Sequence, residues 1–316
     1  MSFPEGVSNS TLAVNLSSHN STADGNRMEW GAPSVMSMVI FTLTFLLGVL
    51  GNSAVIWVFG FKMKSKAHTV CFLNLAVADF IYCLTLPFRM ANMFLSFSGD
   101  KEYFSIKFLG TLMLLNASAS IYLLCLISIY RCLGIIRPIW YQQHVSRPWV
   151  YAACFGVWIL VFVMWLPLLL LQDLEKESAV LESIWFVFSF GIPLVIIITC
   201  YSLVGWRLQG GRFVKSNKSV RLIVTVVITF IICWTPNTIC DLLSTFTTPI
   251  PEDWTILTAA LASFNSALNP LLYVVAGRKF RQVIRRSLHA SLRLAFAQQR
   301  LELETRTRNN TSSPTI

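Results

Sequence analysis

The chain has 316 residues, 55% of them hydrophobic and only 13% charged, with a formal net charge of +10. Soluble domains carry about 25% charged residues, so this composition, with a mean hydropathy of +0.62, excludes the two soluble domains that the length alone would allow. A pI near 9.4 could suggest nucleic acid, but no aromatic-interleaved basic stretch or zinc-finger spacing supports that, and the charge reads as a lipid-facing and partner-docking surface.

In chain order, residues 1–33 form a polar tail rich in Ser and Asn, without the apolar core of a signal peptide. It carries three glycosylation sequons, at Asn9, Asn15 and Asn20. A helix crossing the hydrocarbon needs about 20 mainly apolar residues. Seven stretches meet that length: 35–59, 70–94, 108–129, 149–171, 184–204, 222–243 and 256–275. Joined by short polar loops, they predict an all-α membrane protein, a seven-helix bundle over residues 34–276. After Gly277, the apolar Phe280, Val283, Ile284 and Leu288 recur at helical spacing among basic residues. That pattern predicts an amphipathic helix on the membrane surface over 277–297. The polar remainder, 298–316, reads as a disordered tail.

Orientation follows the basic residues. With the N-terminus outside, the outer segments hold five Lys or Arg (Arg27, Arg89, Lys101, Lys107, Lys176), and the inner ones hold the other twenty. The N-terminus is therefore expected outside, in the plasma membrane, with Asn9, Asn15 and Asn20 glycosylated. The eight cysteines all lie in or at the ends of apolar spans, without a CxxC or metal-ligand spacing, and read as small buried hydrophobes.

Polar residues inside hydrocarbon are costly and tend to be functional. The second span places Asp79 near mid-membrane; the third offers Asn116 and Ser120 on one helical face, and the seventh Asn265 and Asn269. Interhelical hydrogen bonds of about 1 kcal/mol each are one account of them. A site for a hard cation, which prefers oxygen ligands, is the other. The sixth span carries Phe230, Cys233, Trp234 and Pro236, with the indole within a turn of the proline, and the seventh runs Asn269-Pro270-Leu271-Leu272-Tyr273. Both prolines remove a backbone donor and mark hinges.

Together these pieces resemble the rhodopsin-like G-protein-coupled receptors. The matching motifs run in order from Gly51-Asn52 through Leu75-x-x-x-Asp79, Tyr130-Arg131-Cys132, Trp158, Pro193 with Tyr201, Cys233-Trp234-x-Pro236, and Asn269-Pro270-x-x-Tyr273 followed by Phe280. The resemblance implies that Arg131 contacts a G-protein helix, that Trp234 reports ligand binding, and that Tyr201 and Tyr273 belong to the same switch. It makes Pro193, Ile121 and Phe230 the connector, and Asp79, Asn116, Ser120, Asn265 and Asn269 a sodium pocket. Sodium is the only cofactor-like species implied. Within the family, Leu84-Thr85-Leu86-Pro87-Phe88 and Ile136-Arg137-Pro138-Ile139-Trp140 look like the formyl-peptide and prostaglandin chemoattractant receptors, and Arg207 to Phe213 like leukotriene receptors.

Two departures stand out. Tyr130 replaces the acid that usually precedes the arginine, and Ser216 the acid that can restrain it from the sixth span. Ile106 occupies the position of the outer-disulfide cysteine, and Gln172 to Ser183 contains no cysteine. In a small soluble domain such a loss costs roughly 2–5 kcal/mol.

Met113 stands at the position of the aminergic carboxylate and Ser263 at that of the retinal lysine, which argues against a monoamine or retinal ligand. The resemblance places a ligand pocket at Arg89, Met113, Trp185, Asn237, Asp241 and Ala259. Arg89 and Asp241 are two charges without an evident partner. Arg89 either pairs with a ligand carboxylate or snorkels to the headgroups. The acidic outer residues Asp173, Glu175, Glu177, Glu182, Glu252 and Asp253 either attract a basic peptide or are simply solvated. The expected partners are an extracellular lipid or peptide ligand, a heterotrimeric G protein, arrestin and membrane lipid, with no nucleic acid. The alternative is a scavenging receptor that does not signal, motivated by Tyr130 and the missing disulfide. A channel or transporter lacks the expected inverted repeat, and no nucleophile–base set or metal site supports an enzyme.

Overall fold

In a computed structural model, the described residues are 31–63, 66–94, 100–170, 186–208, 218–246, 250–276 and 280–285, with a few isolated positions beyond. The helices are α1 (Ala32–Trp57), α2 (Ala67–Phe94), α3 (Asp100–Ile136), α4 (Pro138–His144), α5 (Arg147–Leu170), α6 (Ile192–Leu208), α7 (Lys218–Phe246) and α8 (Glu252–Ala276). All but α4 contain a stretch long and apolar enough to cross a membrane. Hydrocarbon offers no partner for backbone N–H and C=O groups, which is why each crossing is a helix. Large apolar side chains such as Leu50, Phe155, Val163, Val195 and Ile232 face outward, where lipid replaces water.

The helices overlap all seven expected stretches and most run longer at one or both ends, while residues 171, 184 and 185 of the fourth and fifth stretches lie outside the described residues. The third helix runs from Asp100 to Ile136, so Tyr130 and Arg131 sit within it rather than beyond it. Short polar loops do not fully describe the connections: α4 is a helix of 7 residues, opened by Pro138 and stiffened by Trp140 stacked on His144 at 4.8 Å. Two π turns also interrupt the regular spans, Val58–Lys62 at the C-terminal end of α1 and Val187–Gly191 before α6. The predicted surface helix is described over 280–285, with Phe280 buried and Arg281, Gln282 and Arg285 exposed, as an amphipathic helix requires. The three sequons, Ser216 and the tail from 300 lie outside the described residues.

Close approach of α1 to its neighbours depends on glycine. A Cβ on Gly51 would meet Pro270 Cβ at 2.7 Å, and one on Gly48 would overlap Cys83 Sγ. Small residues let membrane helices pack backbone to backbone, so α1 seats against both α2 and α8. Ser34 donates to Asp253 Oδ1 at 2.6 Å and joins the N-terminal ends of α1 and α8. The Asp253 carboxylate thus lies at the N-terminus of α1, where the helix dipole favours a negative charge.

Candidate functional site

At the middle of the bundle, α2, α3 and α8 bring their polar residues together. Asp79 is fully buried. Asn269 donates to its Oδ2 at 2.8 Å and Asn116 to its Oδ1 at 3.4 Å, while Asn116 also donates to Ser266 Oγ at 2.9 Å. Asn52 donates to the Ser266 carbonyl at 2.9 Å and ties α1 to the same turn of α8. Asn116 Oδ1, Ser120 Oγ and Asn265 Oδ1 are buried without a hydrogen-bond partner. Three orphaned oxygens and a buried carboxylate whose amide donors are neutral form the donor set a hard cation takes. The residues fit a sodium ion.

An aromatic column lies beside this cluster. Phe186, Phe190, Phe230 and Trp234 stack in sequence, with ring centroids 5.8, 6.3 and 6.0 Å apart. Tyr122 donates to the Phe188 carbonyl of the π turn at 2.8 Å, and Cys125 to the Pro193 carbonyl in the first turn of α6 at 3.2 Å. Trp234 is buried, and its indole N–H has no partner. Pro236, two residues on, lies inside α7. Ile121 is buried in the same core.

Near the C-terminal end of α8, Tyr273 is held in an aromatic cage. Phe59, from the π turn after α1, lies 5.9 Å from its ring; Phe72 of α2 lies at 4.9 Å and Phe280 at 6.3 Å. Its hydroxyl is buried without a partner. Arg131 is part-buried and its Nε likewise has none. Burial pushes the Tyr141 hydroxyl above its ordinary range, and the Arg131 guanidinium beside it pulls it part of the way back. Tyr201 accepts from Ser128 at 3.4 Å.

The outer residues fall into two groups. Arg89 Nη1 lies 3.6 Å from Met113 Sδ, and its guanidinium sits 5.4 Å over the Phe41 ring. It therefore turns inward, toward α1 and α3, and does not snorkel outward. Asp241 does not fit the expectation of an unpartnered charge: Asn237, one turn earlier, donates to it at 2.7 Å. That i, i+4 spacing was visible in the sequence as a standard helical pair. Ala259 is buried on α8, while Trp185 and residues 173–182 lie outside the described residues.

Several contacts were not foreseen. Tyr82 and Ser263 share a hydrogen bond of 2.6 Å between α2 and α8. Trp165 donates to Ser118 at 2.9 Å and Trp158 to Asn74 at 3.3 Å, and both bonds anchor α5. All eight cysteines are free, with Cys71 and Cys154 Sγ atoms 3.8 Å apart.

The profile of the 7 transmembrane receptor (rhodopsin family) matches residues 51–273. The chain is 33% identical over 294 residues to the C3a anaphylatoxin chemotactic receptor of Danio rerio, covering 87% of this chain and 81% of that protein. It is 31% identical over 317 residues to N-formyl peptide receptor 2 of Homo sapiens, with 89% and 90% covered. It is 30% identical over 345 residues to the fMet-Leu-Phe receptor of Oryctolagus cuniculus, with 97% of each chain covered.

Proposed function

We infer the function of this chain from one premise: it belongs to the rhodopsin family of seven-transmembrane receptors. It is a multi-pass membrane receptor that couples a ligand to a G protein, related to chemoattractant receptors, and it is not an enzyme. We propose that it acts at the plasma membrane with its N-terminus outside, and that its ligand is a chemoattractant-type peptide or lipid mediator bearing an acidic group. The distribution of Lys and Arg supports the orientation. The names of the relatives support the ligand class.

The inward turn of Arg89 carries the ligand reading. Its guanidinium lies against a thioether and an aromatic face, and neither neutralises it. A carboxylate entering the outer end of the bundle gains a charge-assisted bond there. Met113 and Ala259, both buried, shape the pocket with Asn237, Asp241 and Trp185.

Below it, the ligand acts on the Trp234–Phe230 stack. Trp234 has no hydrogen bond on its indole N–H to lose, so the ring can shift at the cost of packing alone. Pro236 lets α7 bend beside it, and Phe230, Ile121 and Pro193 carry the shift inward. Tyr201 and Tyr273 complete the switch, and Arg131 receives the G-protein helix. Asp79, Asn116, Ser120, Asn265 and Asn269 would hold a sodium ion, which would supply the positive charge that the buried carboxylate lacks. Arrestin is a further cytoplasmic partner. Nothing in the fold or in the relatives favours the non-signalling alternative.

The test is nucleotide exchange on a heterotrimeric G protein in membranes bearing the receptor. The added ligands are formylated peptides, anaphylatoxin-derived peptides and acidic lipid mediators. Ligand-dependent exchange with at least one class is the expected result. Saturable ligand binding without exchange would overturn the signalling assignment.

A further inference from the structure

Between the cytoplasmic ends of α2, α3 and α5, against α4, lies a cavity of about 500 Å³. Lys66, His68, Arg131 and Arg147 line it together with Tyr130 and Tyr141, and none of its lining residues is acidic. The sequence around it is equally one-sided: no Asp or Glu occurs between Glu29 and Asp79, or between Glu102 and Asp173. Three permanent cations thus line one half-open cavity, with no carboxylate among its described lining residues to neutralise them. Arg131 Nε is buried there without a hydrogen-bond partner. Lys66 immediately precedes α2, and Arg147 opens α5, so the positive ends of two helix dipoles border the same space.

The level of the cavity in the membrane identifies the source of the anion. Trp149, two residues after Arg147, is 70% exposed, and Ile139 of α4 is 73% exposed with Trp140 beside it. Exposed tryptophans next to basic residues mark the headgroup layer. The volume also exceeds what a single phosphate ion would fill, and three cations balance more charge than one phosphodiester carries. Basic pockets between membrane helices on the cytoplasmic side suit phosphorylated lipid headgroups.

We propose that this cavity binds the headgroup of a cytoplasmic-leaflet lipid that bears phosphate monoesters, held by Lys66, Arg131 and Arg147. Lys66 and Arg147 supply the outer contacts. Arg131 supplies the inner one, and the Tyr130 and Tyr141 hydroxyls are placed to donate to phosphate oxygens. A lipid so placed occupies the arginine that the receptor reading assigns to the G protein. Its binding needs no signalling to be measured, so failure of either reading is distinguishable from failure of the other.

The experiment uses the full-length receptor in phosphatidylcholine nanodiscs, titrated with a fluorescent bisphosphorylated phosphatidylinositol. The double variant Lys66→Gln/Arg147→Gln is compared with Lys62→Gln/Arg285→Gln, which removes the same charge from exposed positions outside the cavity. The expected result is a loss of about tenfold or more for the first pair, consistent with losing charge-assisted bonds, and less than about twofold for the second. Equal losses in the two pairs, or none in the first, would overturn the site. Displacement of the lipid by inorganic phosphate at matched concentration would overturn the lipid assignment in favour of a free anion. Should the first variant fail to fold, amine labelling of Lys66 in the wild-type receptor decides: lipid-dependent protection supports the site, and unchanged labelling refutes it.

Discussion

Asn269 donates to the Asp79 carboxylate at 2.8 Å, joining α8 to α2 across 190 positions of sequence. With Asn116 the other amide donor, the buried acid has no counter-charge from its amides, and burial of an uncompensated charge costs several kcal/mol. A bound cation would supply what the amides do not. Asp79→Asn keeps the shape and removes the charge, so the sodium dependence of agonist affinity in membranes should vanish. If wild-type affinity is already independent of sodium, the cluster is interhelical hydrogen bonding and nothing more.

Arg89→Ala should weaken an acidic ligand by about 1.5–3 kcal/mol, roughly ten- to a hundredfold in Kd. Arg89→Lys should fall between, because an ammonium keeps the charge but loses bidentate geometry. Competition binding in membranes reads both. Unchanged affinity for every acidic ligand tested would remove Arg89 from the pocket.

Tyr130 leaves Arg131 without the neighbouring acid that usually holds it. An ionised acid at about 4 Å attracts an arginine by about 4 kcal/mol at an effective dielectric near 20, before desolvation. Restoring only 1.4 kcal/mol of that would change the ratio of resting to active receptor about tenfold. Basal nucleotide exchange should therefore be high in the wild type and lower in Tyr130→Asp. A measurable basal rate that the substitution leaves unchanged would show the missing carboxylate to be irrelevant.

Gly51→Ala tests the seat of α1. Its new Cβ would meet Pro270 Cβ at 2.7 Å, and a ring carbon inside a helix cannot swing away. Overpacking of this kind costs about 1–3 kcal/mol, so the solubilised receptor should melt roughly 2–10 °C lower. Gly156→Ala is the control: nothing lies within 4 Å of its added Cβ, and alanine is the better helix former. Equal melting of the two variants would mean that α1 yields without cost.

Much of this architecture was readable from the residues because its causes are local. A membrane-length apolar run must be helical wherever it occurs, and a polar residue inside one is conspicuous, as Asp79, Asn116 and Asn269 are. The unforeseen parts depend on what folding brings together. Phe59 and Phe72 look like ordinary lipid-facing or core aromatics until Tyr273 lies between them. The π turn at Val187–Gly191 leaves no compositional trace, and Tyr141 becomes notable only once α4 sets it beside Arg131. Asp241 differs from these: its partner, Asn237, lies one turn away on the same helix, a spacing the sequence itself displays.

The cage around Tyr273 also makes the end of α8 a shared hinge pin. Phe280 belongs to the membrane-surface helix, yet it packs against both Phe59 and Tyr273, at 5.6 and 6.3 Å. The tyrosine cannot turn out of its cage without loosening a ring that also fastens the surface helix to the end of α1. The end of α1 is thereby tied to the end of α8 and to the surface helix that follows it. The surface helix is in this sense a latch on the inner door of the bundle, and lipid that strips Phe280 from its seat would release it.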